Sequence, residues 1–132
     1  MDLPPASQYF AYDIHQPRLD FLRAYFEAFY PQAQAIGQDI LTDTPEQEAD
    51  CAFFFKEAHR LEKRHPGSNR ELFSRLNVRW LVVSLPSRDL AGHHSLVGYH
   101  TSLIHKAIEA QPRRLTTASV GDELLFFIEK HD

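Results

Sequence analysis

The sequence predicts an α/β fold in which helices cover both faces of a mostly parallel sheet that ends in an antiparallel hairpin. Short apolar runs alternate with segments of helical periodicity along the 132 residues. After the last helical segment, two strand-like runs bracket the turn sequence Val120-Gly121-Asp122. A composition of 43% hydrophobic and 24% charged residues excludes a disordered or collagen-like chain. We therefore expect residues 1–132 to form one domain at most.

The first half of the chain predicts three strands and one helix. A strand at residues 9–12 leads to Asp13, and Pro17 opens a helix. Four apolar side chains recur in it at helical spacing: Leu22, Tyr25, Phe26 and Phe29. A weaker strand follows at residues 33–39. Residues 49–55 have the brevity and aromatic content of a central strand.

The middle of the chain predicts two helices separated by a turn. Residues 56–64 have a helical pattern, and the His65-Pro66-Gly67-Ser68 sequence after them is typical of a turn. Ser68 or Asn69 is the expected cap of a second, short helix that reaches Leu76.

The last third predicts the clearest strand, a helix and the hairpin. Residues 79–85 are apolar and β-branched, and a polar loop follows at residues 87–94. The next helix ends before Pro112 and has three apolar residues on one face: Val97, Ile104 and Ile108. Residues 114–119 and 123–129 form the hairpin. The predicted order is β-α-β-β-α-α-β-α-β-β.

Charge and targeting signals limit the classes of function. The net charge of −4 is unusual for a domain that binds nucleic acid alone, so any RNA contact needs a local patch or a partner. The longest apolar runs are too short to cross a membrane, and the N-terminus lacks the pattern of a signal peptide. Cys51, the single cysteine, is interpreted as a core residue. We expect a cytoplasmic protein with no membrane partner.

Three ordered segments suggest a family. They are Asp-Ile-His at residues 13–15, the stretch from Gln-Asp-Ile at 38–40 to Phe-Lys at 55–56, and Ser-Leu-Pro-Ser-Arg-Asp-Leu-Ala-Gly at 84–92. Their order and spacing, over most of the chain, resemble the 16S ribosomal-RNA guanine-N7 methyltransferases that confer aminoglycoside resistance. The resemblance implies a Rossmann-like sheet, S-adenosylmethionine (SAM) as cofactor, and 16S rRNA or the small ribosomal subunit as partner. It also explains the final hairpin, which is typical of SAM-dependent methyltransferases.

The chain departs from the family pattern at three places. Glu57-Ala58-His59 stands where the family has a Leu-Leu-Pro-like stretch, and His93-His94 stands where it has glycines and a Met-Glu pair. No glycine precedes Asp13, so the family's first strand and glycine-rich cofactor loop are missing from this sequence. We expect a truncated, C-terminal part of a methyltransferase domain, whose start at Met1 is itself in question.

Two expectations follow from the missing first strand, and two other functions stay open. The chain alone should bind no measurable SAM at micromolar cofactor, and it should self-associate through the sheet edge that the missing strand leaves open. One other function is that of a non-catalytic Rossmann-like remnant or binding module. The second is that of a methyltransferase acting on another class of substrate. A glycine-rich loop encoded in frame upstream of Met1 would favour the enzyme.

The resemblance assigns the cofactor contacts to five residues. Asp13, beside Ile14, accepts hydrogen bonds from the ribose hydroxyls, although an aspartate before Pro17 is equally typical of a helix cap. Asp39 and Ile40 flank the adenine, or belong to an ordinary loop. Phe55 forms another wall of the adenine slot, or packs in the core.

The same resemblance assigns RNA contacts to Lys56, Arg88, His93 and His94. Lys56 meets a phosphate or positions the base, unless it is a solvated lysine at a helix start. Arg88 contacts a phosphate or stacks on a base, unless it pairs with Asp89 or Glu57 at the surface. The two histidines replace a basic loop, which would make RNA binding sensitive to pH.

No residue is predicted to be catalytic, and no metal site is expected. Guanine N7 carries a lone pair at neutral pH, so methyl transfer to it needs positioning and no general base. No Gly-x-Ser-x-Gly elbow accompanies Ser84 or Ser87. On a helix, His100 and His105 would point about 140° apart, and the sequence has no His-x-x-x-His spacing in this region.

Overall fold

The computed structural model describes residues 6–109, 111 and 113–130. The chain divides into two compact units, one up to Thr44 and one from Pro45. The predicted order of elements is confirmed throughout. The elements are β1 (Tyr9–Asp13), α1 (Gln16–Phe29), β2 (Ala33–Gly37), β3 (Ala49–Phe55), α2 (Ala58–Arg64), α3 (Ser68–Arg75), β4 (Val78–Pro86), α4 (Val97–Ile108), β5 (Arg113–Val120) and β6 (Glu123–Lys130).

The first unit is a βαβ unit. Strands β1 and β2 pair in parallel with Asp13 opposite Gly37, so both strands reach their carboxyl ends at one edge. Helix α1 buries Leu19 and Phe26, and the Phe26 ring lies edge-on to Tyr9 at 5.8 Å between centroids. Gly37 is a close-approach glycine, because a Cβ there would meet Leu19 Cδ1 at 3.2 Å. The helix therefore lies tightly over the strand ends.

The second unit contains a four-stranded sheet in the order β3-β4-β6-β5. Strands β3 and β4 are parallel, whereas β6 runs antiparallel to both β4 and β5. Its core is formed by alternate side chains of β4 and β6 with residues from α3 and α4: Leu81, Val83, Leu85, Phe126, Ile128, Phe73 and Ile104. Each such burial is worth roughly 1.5–3 kcal/mol of hydrophobic free energy. The α/β class and the closing hairpin are confirmed, and the sheet of the second unit contains both parallel and antiparallel strand pairs.

Strand β3 differs from the central strand that its composition predicts. Among the described residues it is hydrogen-bonded only to β4, which makes it an edge strand. Phe53 and Phe55 are 57% and 53% exposed, and their rings lie 5.5 Å apart. An apolar run of this length indicates a strand, but it cannot show whether both edges of the strand are paired.

Two helices, α2 and α3, begin differently from the sequence prediction. Helix α2 begins at Ala58, two residues later than predicted. The residue that precedes α3 is Gly67, so neither Ser68 nor Asn69 is its N-cap. Glu62 takes the capping role from the neighbouring helix, because its carboxylate accepts the N–H groups of Gly67 at 3.0 Å and Asn69 at 3.4 Å.

Smaller differences affect strand and helix ends. Strand β2 stops at Gly37, because a turn begins at Asp39, whose carbonyl accepts hydrogen bonds from the N–H groups of Thr42 and Asp43. Val97 is exposed, unlike Ile104 and Ile108, which share the buried face of α4. Pro112, the predicted helix stop, and the N-terminal segment Met1–Pro5 lie outside the described residues. Within the described part of the chain, no helix has the length and apolar character of a membrane span.

Candidate functional site

Asp13 lies where parallel α/β sheets bind their ligands, at the carboxyl end of β1. Its carboxylate is part of a dense set of hydrogen bonds. Oδ1 accepts the N–H groups of Ile14 at 2.8 Å and His15 at 3.0 Å, and Nη2 of Arg18 at 3.0 Å. Oδ2 accepts Nε of Arg18 at 2.7 Å. The carboxylate therefore holds the chain in place as it turns from strand into helix.

These contacts test the helix-cap interpretation of Asp13. The side chain that caps α1 is that of His15, whose Nδ1 accepts the N–H of Arg18 at 3.3 Å, so the cap interpretation of Asp13 is wrong. The Arg18 guanidinium, helped by the backbone N–H groups, holds the pKa of Asp13 well below its usual range. The group is thus an ionised acceptor at any ordinary pH. In this arrangement Arg18 occupies acceptor positions that a ribose diol would need.

The other two cofactor candidates of this unit lie just after β2. Asp39 is exposed, and its Oδ1 accepts the N–H of Leu41 at 3.0 Å within its own turn. Ile40 is half-buried. Ile14, after β1, is 70% exposed, which is unusual for an isoleucine. The parallel pairing of β1 and β2 places both turns at the same edge of the two-stranded sheet.

Lys56 ends β3 in a strained conformation. It is the only described non-glycine residue with positive φ, at 60°, which is the left-handed region. Its N–H donates to the Ser84 carbonyl at 2.9 Å, and its Nζ pairs with Glu123 Oε1 at 2.9 Å. Lys56 is thus neither part of α2 nor simply solvated. Such strain concentrates at functional sites, which singles out this strand end.

Phe55 does not pack in the core, so the core interpretation of this residue is wrong. Its ring is more than half exposed beside Phe53 at the carboxyl end of β3. An exposed aromatic ring at that position is suited to stacking on a planar base.

The three RNA candidates Arg88, His93 and His94 share the loop of residues 87–96, and all three are exposed. Arg88 donates weakly to the Gly92 carbonyl, at 3.4 Å. It has no ion-pair partner within 4.0 Å among the described residues, so the predicted alternative of a pair with Asp89 or Glu57 is wrong. Glu57 pairs instead with Arg60, at 3.5 Å.

A buried polar cluster behind Lys56 was missed by the sequence interpretation. His100 is 2% exposed, and its Nδ1 lies 2.7 Å from the Pro86 carbonyl, to which it donates. The His59 ring packs edge-on against it, with 5.2 Å between centroids. His59 Nδ1 and Glu123 Oε2 are buried without a hydrogen-bond partner in the described structure. Burial and the neighbouring His100 lower the pKa of His59.

Cys51 is half-buried, and burial, helped by Asp50, raises the pKa of its thiol. In the part of the chain that the structure describes, no three His, Cys, Asp or Glu side chains are grouped in a way that could hold a metal ion.

The α/β sheet with its final antiparallel hairpin defines the class, because this is the fold of SAM-dependent methyltransferases. Among solved structures, the 16S rRNA methyltransferase RmtF in complex with S-adenosyl-L-homocysteine superimposes with a TM-score of 0.81 at 27% identity. The match covers 92% of this chain and 47% of RmtF. The model of the family described as ribosomal RNA methyltransferase (FmrO) matches residues 1–123. The chain belongs to that family.

Two curated relatives are both described as 16S rRNA (guanine(1405)-N(7))-methyltransferase. The protein from Frankia casuarinae is 27% identical over 133 positions, covering 98% of this chain and 46% of the relative. The protein from Serratia marcescens is 28% identical over 95 positions, covering 71% of this chain and 38% of the relative. The chain thus spans less than half the length of the relatives it matches.

Proposed function

We propose that this chain carries cofactor and RNA contacts of a SAM-dependent 16S rRNA guanine-N7 methyltransferase. The observation that supports the cofactor contacts is the position of Asp13, whose carboxylate has a lowered pKa and lies at the carboxyl end of a parallel strand. The family match and the two curated relatives support the substrate. We further propose that the protein acts in the cytoplasm on the small ribosomal subunit, and that the modified RNA resists aminoglycosides.

In this proposal the first unit holds the adenosine part of the cofactor. Bound SAM would supply a methyl group activated on a sulfonium. Asp13 accepts the two ribose hydroxyls once Arg18 has turned away, and Ile14 covers the sugar. Asp39 accepts the adenine amine, and Ile40 contacts the ring. Phe55 of the second unit, which has an exposed ring, is proposed as a cofactor contact in its own right.

The second unit contributes RNA contacts. Lys56 and Arg88 meet phosphate oxygens, and the exposed His93 and His94 add donors whose charge depends on pH. Since guanine N7 has its own lone pair, no side chain has to remove a proton. The residues act by holding the base in line with the methyl group, which is how proximity accelerates a transfer.

The first prediction tests the cofactor contacts by NMR at millimolar S-adenosylhomocysteine, because this chain alone is expected to show no micromolar affinity for SAM. Backbone signals of Asp13, Ile14, Asp39 and Ile40 should shift. Asp13→Asn should weaken the response by more than about tenfold, because it removes a charge-assisted acceptor. Asp20→Asn, an exposed aspartate on α1, is the matched control. The assignment would be refuted if no signals shift, or if the shifts are the same in Asp13→Asn as in the parent.

We also propose that the isolated chain self-associates through open strand edges. Strand β1 is paired only with β2, and β3 only with β4, among the described residues. An edge strand with unpaired N–H and C=O groups is a template for pairing with another chain. Strand β3 has seven residues and no proline or lysine, and Asp50 is its only charged residue.

A further inference from the structure

The loop of residues 87–96 is held firmly at both ends. The Ser87 N–H donates to the Asp122 carbonyl at 2.8 Å, and the Leu96 N–H donates to the Ser87 carbonyl at 2.8 Å. Just before the loop, the buried His100 donates to the Pro86 carbonyl at 2.7 Å. The loop therefore leaves β4 and enters α4 in a fixed geometry.

The interior of this loop is braced as well. The Asp89 N–H donates to the His94 carbonyl at 3.0 Å, and the Gly92 N–H donates to the Asp89 carbonyl at 3.0 Å. The Asp89 carboxylate accepts the His93 N–H at 2.9 Å. Gly92 has φ +72°, a conformation that a side chain would strain. A ten-residue connection with this many internal contacts presents its tip in one conformation.

That tip is Leu90, whose relative exposure is 110%. Burying a leucine side chain stabilises a protein, but the fold leaves the Leu90 side chain fully in solvent. Docking of a protein normally needs a contiguous apolar patch of several hundred Å². At Leu90 a single aliphatic side chain projects among the polar Arg88, His93 and His94, all of them exposed.

We propose that Leu90 inserts between the bases of the target RNA and fills the gap left when the guanine leaves the stack. The inference rests on the proposed function and adds the residue that keeps the target base out of the stack. Enzymes that modify a base within a helix must pull it out, and aliphatic side chains are the usual wedges between base steps. Arg88, two residues away, meets the phosphates beside the wedge. The hydrogen-bonded loop supplies the stiffness that insertion requires.

The second prediction tests the wedge with an RNA stem spanning guanine 1405 of 16S rRNA, the nucleotide in the description of both curated relatives. In the probe, 2-aminopurine replaces that guanine, because its fluorescence rises when it unstacks. The parent chain should bind and raise the fluorescence. Since phosphate contacts supply the affinity, Leu90→Ala should bind within about threefold of the parent yet lose most of the rise. Leu90→Phe, a larger wedge, should retain it.

Controls separate the possible failures. Val120→Ala, an exposed aliphatic residue at the β5–β6 turn, should behave as the parent, and Arg88→Gln should weaken binding to any RNA. A full fluorescence rise with Leu90→Ala overturns the wedge and leaves the proposed RNA binding intact. Failure of the parent to bind the stem overturns both. If Leu90→Ala weakens binding to whole small subunits but not to the stem, Leu90 docks on a ribosomal protein and the wedge is wrong.

Discussion

At the scale of single residues, Asp13 shows which features of a site can be predicted from the sequence and which cannot. A carboxylate after a short strand predicts a ligand contact, and the structure places Asp13 at the carboxyl end of β1, where Arg18 lowers its pKa. Arg18 could not be foreseen as its partner. The two are five positions apart, across a strand-to-helix junction whose geometry the sequence does not define. Lys56 is similar, because a left-handed conformation at a lysine has no sequence signal.

The third prediction concerns Arg18 as a competitor for Asp13. Arg18→Gln should tighten binding of S-adenosylhomocysteine about two- to fivefold, since the exposed ion pair that the ribose must displace is worth about 1 kcal/mol or less. NMR titration measures the change. Arg23→Gln, on the same helix but bonded to the Ala35 carbonyl, should leave the affinity unchanged. Weaker binding in Arg18→Gln would mean that the arginine supports the site.

At the scale of elements, the strands and helices could be predicted from the sequence, but the residues that begin and cap the helices could not. Residues 79–85 define a strand by apolar, β-branched composition alone, and the structure extends it to β4 (Val78–Pro86). The predicted cap of α3 was wrong because Glu62, a residue of the preceding helix, supplies the hydrogen-bond acceptor for the first N–H groups of α3. The same limit hid the contact between α2 and α4, where His59 and His100 meet 41 positions apart in the sequence.

The fourth prediction follows from that helix contact. Burial lowers the pKa of His59 from its ordinary 6.5, so the folded protein favours the neutral ring and the unfolded chain takes up its proton first. The free energy of unfolding should therefore fall as the pH drops below about 6.5. Asp13 adds nothing to this decrease, because its lowered pKa matters only below its ordinary 3.8.

Urea denaturation between about pH 7.5 and pH 5.5 measures the effect. His59→Leu should flatten the dependence on pH, because the half-buried titrating ring is gone. His105→Leu, an exposed histidine of α4, should keep the dependence of the parent. An equal slope in His59→Leu and parent would show that the His59 ring is not the group responsible.

At the scale of the whole molecule, the fold class followed from the order of elements, and the pairing of strands did not. The sequence placed residues 49–55 in a central strand, but β3 lies at the edge of its sheet. Composition reports how apolar a strand is, whereas pairing depends on long-range partners that a single sequence does not identify. The open edge of β3 is therefore a property of the strand pairing, which the composition of residues 49–55 does not define.

The fifth prediction tests that edge. The Lys56 N–H donates to the Ser84 carbonyl of β4, so strand alternation points the Phe53 N–H outward. Phe53→Pro should remove an edge donor without losing a ladder bond, and should weaken self-association by about tenfold or more. Light scattering over a concentration series gives the result. Phe53→Val removes the same ring but keeps the N–H, and should associate like the parent. A monodisperse parent monomer would contradict the proposal.

The Asp13–Arg18 pair also gives the molecule an unusual response to ionic strength. Dissolved salt screens an exposed ion pair, whereas hydrogen bonds from neutral hydroxyl groups to the same carboxylate are screened much less. Salt therefore releases Asp13 for an adenosine ligand, while it weakens phosphate contacts such as those proposed for Lys56 and Arg88. Under the proposed assignments, cofactor affinity should rise and RNA affinity should fall along the same salt gradient, so simultaneous occupancy by both ligands should be greatest at intermediate salt.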